Sequence, residues 1–258
     1  MENLKISLCI TTLNRFDNFL SKSLNNYLEY LKNGLIDEII INDENGNDYE
    51  KIQEKYNDIL KTNPNFKIYK NEEKLGVFKN KLKVCSYASN EYIALIDSDN
   101  FPDEKYFKII KKYIEKNHKK LPQNIIMAPS NAINKNSSPY LNYKEFENQI
   151  ITKTNIKQNL SNIKFQVLLN TGNYIISKNI TDNIQYNNNL MDIISGCDVV
   201  FFNLLSFMQY PDLELHIIEG LEYLHTEHTE SKDGEFYKRD PRCDLFREYV
   251  IMPEYYRL

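Results

Sequence analysis

In Ile93-Ala94-Leu95-Ile96-Asp97-Ser98-Asp99-Asn100, an apolar run ends abruptly in two acidic residues. The apolar part predicts a buried strand, and the acids fall where that strand reaches the edge of its sheet. Because successive side chains of an extended chain point to opposite faces, Asp97 and Asp99 lie on one side and Ser98 on the other. Two carboxylates on one side repel each other unless a positive charge separates them, and their oxygens suit Mg²⁺ or Mn²⁺. The alternative is a polar turn with an aspartate helix cap.

Strand and helix patterns alternate through the first half of the chain. The strand-like runs are rich in apolar and β-branched residues and occur at 5–11, 38–41, 66–70, 91–96 and 124–128. The segments between them repeat apolar residues every three or four positions, which is typical of helices packed on a sheet. The sequence therefore predicts an α/β fold with a Rossmann-like, mainly parallel central sheet flanked by helices.

The second half of the chain is less regular. We expect further elements there in four places: a strand pattern over 165–177, a buried helix over 197–208, a strand over 213–218 and a polar loop over 232–244.

Length and composition restrict the class of protein. The 258 residues suit one domain with a small appendage, and a formal net charge of −4 provides no basic field for nucleic acid. We expect no transmembrane helix, because the apolar runs are short, and no secretory signal at the N-terminus. Four widely spaced cysteines are typical of a reducing compartment. These features favour a cytoplasmic protein, and peripheral membrane contact through 249–258 stays open.

Polar residues follow four of the predicted strands at their carboxyl ends. In open α/β sheets, ligands bind beyond these ends. The clusters occupy 11–15, 42–44, 71–74 and 97–99. Their coincidence at one edge favours a binding site over an isolated polar turn.

Several of these segments, in order, resemble family 2 nucleotide-sugar glycosyltransferases with the A-type glycosyltransferase fold and its Asp-x-Asp motif. The matching stretches in the first half are Thr11-Thr12-Leu13-Asn14-Arg15, Ile39-Ile40-Ile41-Asn42-Asp43-Glu44, Leu75-Gly76-Val77-Phe78-Lys79-Asn80 and Glu91 to Asp99. Weaker matches follow at Asn170-Thr171-Gly172-Asn173, Gly196-Cys197-Asp198 and Tyr223 to Ser231. The resemblance implies one glycosyltransferase domain over 1–258. Its nucleotide-sugar-binding half is 1–128, and its acceptor-binding and catalytic half, with a small C-terminal acceptor-side extension, is 129–258.

The activity implied by the resemblance is a metal-dependent, inverting transfer of a sugar. The donor would be a UDP-sugar, and the acceptor a hydroxyl on a glycan, lipid-linked sugar or protein. Asp43 would accept from the uracil N–H, although an Asx-type turn also explains it. Lys79 stands where the family commonly has arginine, so it offers a single phosphate contact. The implied donor-binding residues are Thr11, Thr12, Asn14, Arg15, Asp43, Asn71, Lys79, Asn80, Asp97 and Ser98.

The resemblance also implies a metal site and an acceptor side. Asp99, Asp97 and His225 would hold Mn²⁺ or Mg²⁺, with Asp97 contacting either the ribose or a water on the metal. The acceptor or phosphate side would include Thr171, Gly172, His228 and Ser231.

The acceptor hydroxyl is too weak an acid to lose its proton unaided at neutral pH, so the reaction needs a carboxylate base. The resemblance assigns this role to Asp198. In the family the base belongs to an acidic pair, and here Cys197 replaces the first acid, so Asp192 is the alternative base. The macrodipole of a helix that begins at Asp198 would also favour a carboxylate there.

Two other functions compete with a transferase. The Cys197 replacement is compatible with a catalytically silent module that binds a nucleotide sugar. A sugar nucleotidyltransferase is disfavoured because such an enzyme needs a glycine-rich triphosphate loop, and residues 7–15 contain no glycine.

Overall fold

A computed structural model describes residues 4–133, 141–187, 197–226 and 247–258. Within these ranges, nine strands form one sheet: β1 (Ile6–Thr12), β2 (Glu38–Asp43), β3 (Phe66–Lys70), β4 (Tyr92–Asp97), β5 (Asn100–Phe101), β6 (Ile125–Ile133), β7 (Ile150–Thr152), β8 (Tyr174–Ser177) and β9 (Glu214–His225). The α-helices are α1 (Ser21–Lys32), α2 (Asp48–Thr62), α3 (Val77–Ser86), α4 (Glu104–Asn117), α5 (Lys153–Gln158), α6 (Ile163–Leu168), α7 (Lys178–Asn183), α8 (Asp198–Gln209) and α9 (Met252–Arg257). Short π-helical turns precede α1 and α9.

The sheet has the strand order β3-β2-β1-β4-β8-β6-β9-β5, and β7 pairs with β9. The four strands from β3 to β4 are parallel, so their carboxyl ends meet at one edge. Beyond β4 the sheet is mixed: β8 runs antiparallel to both β4 and β6, whereas β6 and β9 are parallel. The predicted α/β fold is confirmed, and its block of parallel strands consists of β1 to β4, which end at Asp97.

Alternation along the strands gives the sheet an apolar layer on each face. In β1, Ile6, Leu8 and Ile10 pack with α1, α2 and α4, whereas Cys9 faces the layer of α3 and α8. The same alternation in β4 sends Ala94 to the first layer and Leu95 to the second. Because side chains of a strand alternate between faces, near-continuous apolar runs are what a sheet covered on both sides requires.

The second half departs from the sequence-based prediction at two places. The strand expected over 165–177 is instead the helix α6 followed by the short strand β8. The strand expected over 213–218 extends to His225 as β9. The buried helix is confirmed as α8, and the loop over 232–244 lies outside the described residues.

In the part of the chain that the structure describes, no helix is long and apolar enough to cross a membrane. Cys9 and Cys85 are buried free thiols, Cys197 is partly exposed, and Cys243 falls outside the described ranges.

Asp48, at the start of α2, fastens the loop that follows β1. Its Oδ2 accepts hydrogen bonds from Thr12 Oγ1 at 2.5 Å and from the Arg15 backbone N–H at 2.9 Å. Its Oδ1 accepts from the Phe16 N–H at 2.9 Å. The residue is fully buried, so these three donors take the place of water around the carboxylate.

We predict that Asp48→Ala destabilises the fold by about 3 kcal/mol, because it leaves buried N–H groups without acceptors. Urea denaturation measures the change. Asp17→Ala is the matched control, since that carboxylate is exposed and pairs only with a surface lysine among the described residues. Equal stability of the two variants would contradict the assignment.

Candidate donor and acceptor site

The carboxyl ends of the parallel strands bring the predicted polar clusters together. In the register of the sheet, Thr11 lies between Asn42 of β2 and Asp97 of β4. Thr12 lies beside Asp43, which in turn lies beside Lys70 at the end of β3. The clusters predicted from sequence therefore share one edge of the sheet.

The loop after β1 contacts both neighbouring strand ends. Asn14 adopts a positive φ of 53°, and its Oδ1 accepts from the Asn47 backbone N–H at 3.0 Å. Arg15 reaches across the edge and forms an ion pair with Asp99, and both side chains are mostly buried. Thr12 is buried and donates its hydroxyl to Asp48, so that hydroxyl serves the fold.

Asp43 organises the turn after β2. Its carboxylate accepts from the backbone N–H of Gly46 at 2.7 Å and of Tyr49 at 3.0 Å. Burial raises the pKa of Asp43, although both hydrogen bonds act in the opposite direction. A Cβ at Gly46 would lie only 2.7 Å from Asn14 Oδ1, so a side chain there would push the two loops apart. The turn interpretation describes these contacts, and a uracil contact through Asp43 stays a prediction.

Three buried asparagines tie β2, β3 and α3 together. Asn80 Oδ1 accepts from Asn42 Nδ2 at 2.6 Å and from Asn71 Nδ2 at 2.9 Å. Asn42 Nδ2 also donates to Asn71 Oδ1 at 3.0 Å. Asn71 and Asn80, both predicted donor ligands, thus hold each other in place at the edge of the sheet.

Lys81 joins the first acid of the Asp-x-Asp stretch to the candidate base. Its Nζ lies 2.9 Å from Asp97 Oδ1 and 2.8 Å from Asp198 Oδ2. Burial alone would lower the pKa of Lys81, but the Asp198 and Asp97 carboxylates outweigh it and hold that pKa well above its ordinary value. The Lys81 side chain is only 13% exposed, so this is a buried cation between two carboxylates.

A pocket that is partly open to solvent surrounds this ion-pair cluster. Its charged lining consists of Lys81, Asp97 and Asp198, and its other lining residues are Phe78, Leu95, Gly172, Asn173, Tyr174, Val199 and Phe202. The carboxylates of Asp97, at the end of β4, and of Asp198, at the start of α8, therefore line the same pocket.

The segment 171–173 closes the pocket beside β4. Asn173 Oδ1 accepts from the Asp97 backbone N–H at 2.9 Å, and Asn173 O accepts from the Tyr106 hydroxyl at 2.7 Å. Gly172 faces Val199, whose side-chain carbons would lie 3.4 Å from an added Cβ. Thr171 is buried, and its Oγ1 has no hydrogen-bond partner within the described ranges.

His225 lies beside the Asp-x-Asp stretch through strand pairing. Asn100, the residue after Asp99, is the register partner of His225 in the antiparallel pair of β5 and β9. Among described residues, His225 Nδ1 and Asn100 Oδ1 are both buried without a hydrogen-bond partner. Buried polar atoms are usually hydrogen-bonded, so these two unsatisfied atoms near Asp99 are candidate contacts for a ligand.

The remaining predicted residues divide into three groups. Ser98 is buried in the turn between β4 and β5, whereas Lys79 is half-buried near the start of α3. Asp192, His228 and Ser231 lie outside the described residues, so their roles stay predictions.

Lys81 itself was missed from the sequence, although a signal exists. Phe78, Lys81 and Cys85 follow each other at three- and four-residue steps, which places Lys81 on the buried face of α3. A lysine on an otherwise apolar helix face indicates a buried partner of opposite charge.

Comparisons with known proteins agree with this architecture. The family described as "Glycosyl transferase family 2" matches residues 7–189. The structure of S. aureus TarS 1-349 superimposes with a TM-score of 0.61 at 16% identity, covering 86% of this chain and 60% of that one. Its complex with UDP-GlcNAc gives 0.60 at 16% identity, covering 87% and 59%. The chain thus spans about 60% of the length of these structures, and no curated protein matches it significantly.

We predict that Asn42→Asp destabilises the fold more than Asn80→Asp, by about 1–3 kcal/mol. Asn42 donates two hydrogen bonds through Nδ2, and an aspartate would place acceptors against acceptors. Asn80 contributes the acceptor Oδ1 to both of its side-chain bonds, which an aspartate retains. Thermal and urea denaturation measure the stability of the two variants, which carry the same change of charge. A larger loss of stability in Asn80→Asp than in Asn42→Asp would contradict the assigned hydrogen bonds.

Proposed function

The chain belongs to glycosyl transferase family 2, and from that membership we propose that it moves a sugar from a UDP-sugar to an acceptor hydroxyl with inversion. The observation that carries the proposal is the pocket shared by Asp97 and Asp198. It pairs a carboxylate on the donor edge of the sheet with a carboxylate suited to act as base. The UDP and UDP-GlcNAc complexes of TarS support a uridine nucleotide as donor.

In the proposed reaction the acceptor oxygen attacks the anomeric carbon of the donor sugar. The bond from that carbon to the β-phosphate oxygen breaks, and its electron pair leaves with UDP. The acceptor proton passes to Asp198, which is the general base. We propose Thr11, Asn14 and Asp43 on the nucleoside side, with Arg15 and Lys79 near the diphosphate. The acceptor is a glycan, a lipid-linked sugar or a protein.

A divalent cation, Mn²⁺ or Mg²⁺, fits the charges of this site. Among the described residues, the three carboxylates of Asp97, Asp99 and Asp198 contact two cations, Lys81 and Arg15. The diphosphate of the donor adds further negative charge, which a divalent ion would offset as the leaving group departs. Asp99 and His225 are the residues that would hold it.

The described residues assemble no cluster of three or more His, Cys, Asp or Glu side chains suited to a metal. We therefore propose an ion held by one or two protein ligands and the donor diphosphate, which is how Mg²⁺ is commonly bound. Asp97 already pairs with Lys81, so Asp99 is the more available carboxylate for the ion once Arg15 moves to the diphosphate.

We predict that UDP binds in calorimetric titration far more tightly with Mn²⁺ present than without it. Asp99→Ala should weaken that binding by at least about tenfold, since it removes the proposed metal ligand. Asp182→Ala is the control, because Asp182 lies on α7 and pairs with Lys178 beside the opposite end of β4. Binding that is indifferent to Mn²⁺ would exclude the metal from the proposal.

We predict that Asp198→Asn lowers turnover of a UDP-sugar by about 10²- to 10⁴-fold while UDP binding is retained, because the amide cannot accept the proton. Hydrolysis of a panel of UDP-hexoses and UDP-N-acetylhexosamines without acceptor measures turnover and identifies the sugar. Asp182→Asn is the matched control. A wild-type protein that binds UDP and turns over no donor would instead be the nucleotide-sugar-binding module.

A further inference from the structure

Lys81 contacts two carboxylates that the proposed function uses, those of Asp97 and Asp198. We propose that Lys81 is a positioning residue for the transfer reaction: its ammonium group fixes Asp198 relative to Asp97 and leaves the second oxygen of Asp198 to receive the acceptor proton. The inference rests on the proposed function, since it concerns how the base of that reaction is held.

The geometry of the cluster supports this role. A lysine ammonium has three donors and no acceptor, so it can serve two carboxylates at once. Lys81 Nζ lies 2.8 Å from Asp198 Oδ2 and 2.9 Å from Asp97 Oδ1. Asp198 Oδ1 has no hydrogen-bond partner in the described part of the chain, and the residue lines the pocket. One oxygen of the base is thus held while the other remains for chemistry.

The surroundings make the contact stronger than a surface ion pair. The side chains of Lys81 and Asp198 are only 13% and 12% exposed, and Phe78, Tyr174 and Phe202 line the same pocket. Screening by water is weak there, so the ion pair restrains the orientation of both partners more tightly than an exposed pair would. Asp198 is also the first residue of α8, so its backbone is fixed by a helix.

The protonation state of Lys81 separates its role from that of Asp198. The paired carboxylates raise the pKa of Lys81, against the effect of burial, so Lys81 stays protonated and cannot accept a proton. On the proposed function, the acceptor proton passes to Asp198, whose Oδ1 Lys81 leaves uncontacted. Lys81 then stabilises the orientation of the base and does not itself react.

A different role for Lys81 makes a different prediction. If its ammonium group bound the donor diphosphate, removing the charge would weaken UDP binding as strongly as it slows turnover. If it positions the base, the loss falls on kcat, and UDP binding is nearly unchanged. Measuring kcat together with the Kd of UDP separates the two roles.

The test compares Lys81→Met with Lys83→Met in the full chain. Methionine keeps the length of the side chain and removes its charge, and Lys83 lies exposed on the same helix over the ring of Tyr87. For Lys81→Met we expect kcat of UDP-sugar hydrolysis to fall about 100-fold, because the base is no longer held at its distance from the sugar. The Kd of UDP should change less than about threefold, and Lys83→Met should match the wild type.

Chemical rescue provides a readout that a merely structural role would not give. Lys81→Ala removes the stem and the ammonium, and added propylammonium supplies both. We expect propylammonium to restore part of the lost kcat in a saturable way, whereas propanol does not. Lys83→Ala should respond to neither compound.

Three results would overturn the inference: Lys81→Met with a kcat within threefold of wild type, a loss of UDP affinity equal to the loss of kcat, or the absence of rescue. If Lys81→Met does not fold, Lys81→Arg decides, because arginine keeps the charge but presents a rigid planar fork. A loss of UDP affinity in Lys81→Arg as large as its loss of kcat would then contradict the inference. Absence of turnover in the wild type would refute the proposed function itself, which the wild-type assay reveals first.

Discussion

A single buried ammonium group, that of Lys81, joins parts of the chain that are far apart in sequence. Asp97 ends the central strand β4, and Asp198, 117 residues after Lys81, begins α8. Without the cation, two carboxylates would face each other in a largely apolar pocket, where unpaired buried charge is strongly destabilising. The approach of α8 to the sheet edge, and with it the shape of the pocket, depends on this compensation.

A second set of contacts holds the loops after β1 and β2 in an analogous way. Asp48 fixes the loop after β1 by accepting from two backbone N–H groups, and that loop carries Arg15 to Asp99. Asp43 fixes the turn after β2 through two further backbone donors. The acidic residues at this edge thus fall into two kinds: those satisfied by backbone groups, which shape the loops, and those satisfied by cationic side chains.

The sequence was sufficient for the parallel half of the fold because each strand there is buried on both faces. Such strands read as continuous apolar runs with polar residues at their ends, as in 91–99. The second half was harder to predict: β8 has only four residues and follows a short helix, so one apolar segment, 165–177, contained two different elements. Periodicity cannot separate a short buried helix from a strand.

The same limits apply to the site. The position of His225 opposite Asn100 follows from strand pairing, and the ligand role that the resemblance implies for His225 stays a prediction. Lys81 could not be paired in advance, because its partners are 16 and 117 positions away and a single sequence contains no record of such contacts. The local signal was only a lysine on the buried face of α3. The partners of Lys81 became identifiable only from the three-dimensional arrangement of β4, α3 and α8.

The Arg15–Asp99 ion pair and the ion pairs of Lys81 differ in how a bound donor would affect them. A diphosphate arriving near Asp99 competes directly for Arg15, whose planar guanidinium matches phosphate oxygens well. Lys81 is held by two carboxylates at once, so taking it away would leave both Asp97 and Asp198 unpaired. On the proposed function, Arg15 is therefore the cation that changes partner when the donor binds. Lys81 keeps its partners, and the base stays in place through the reaction.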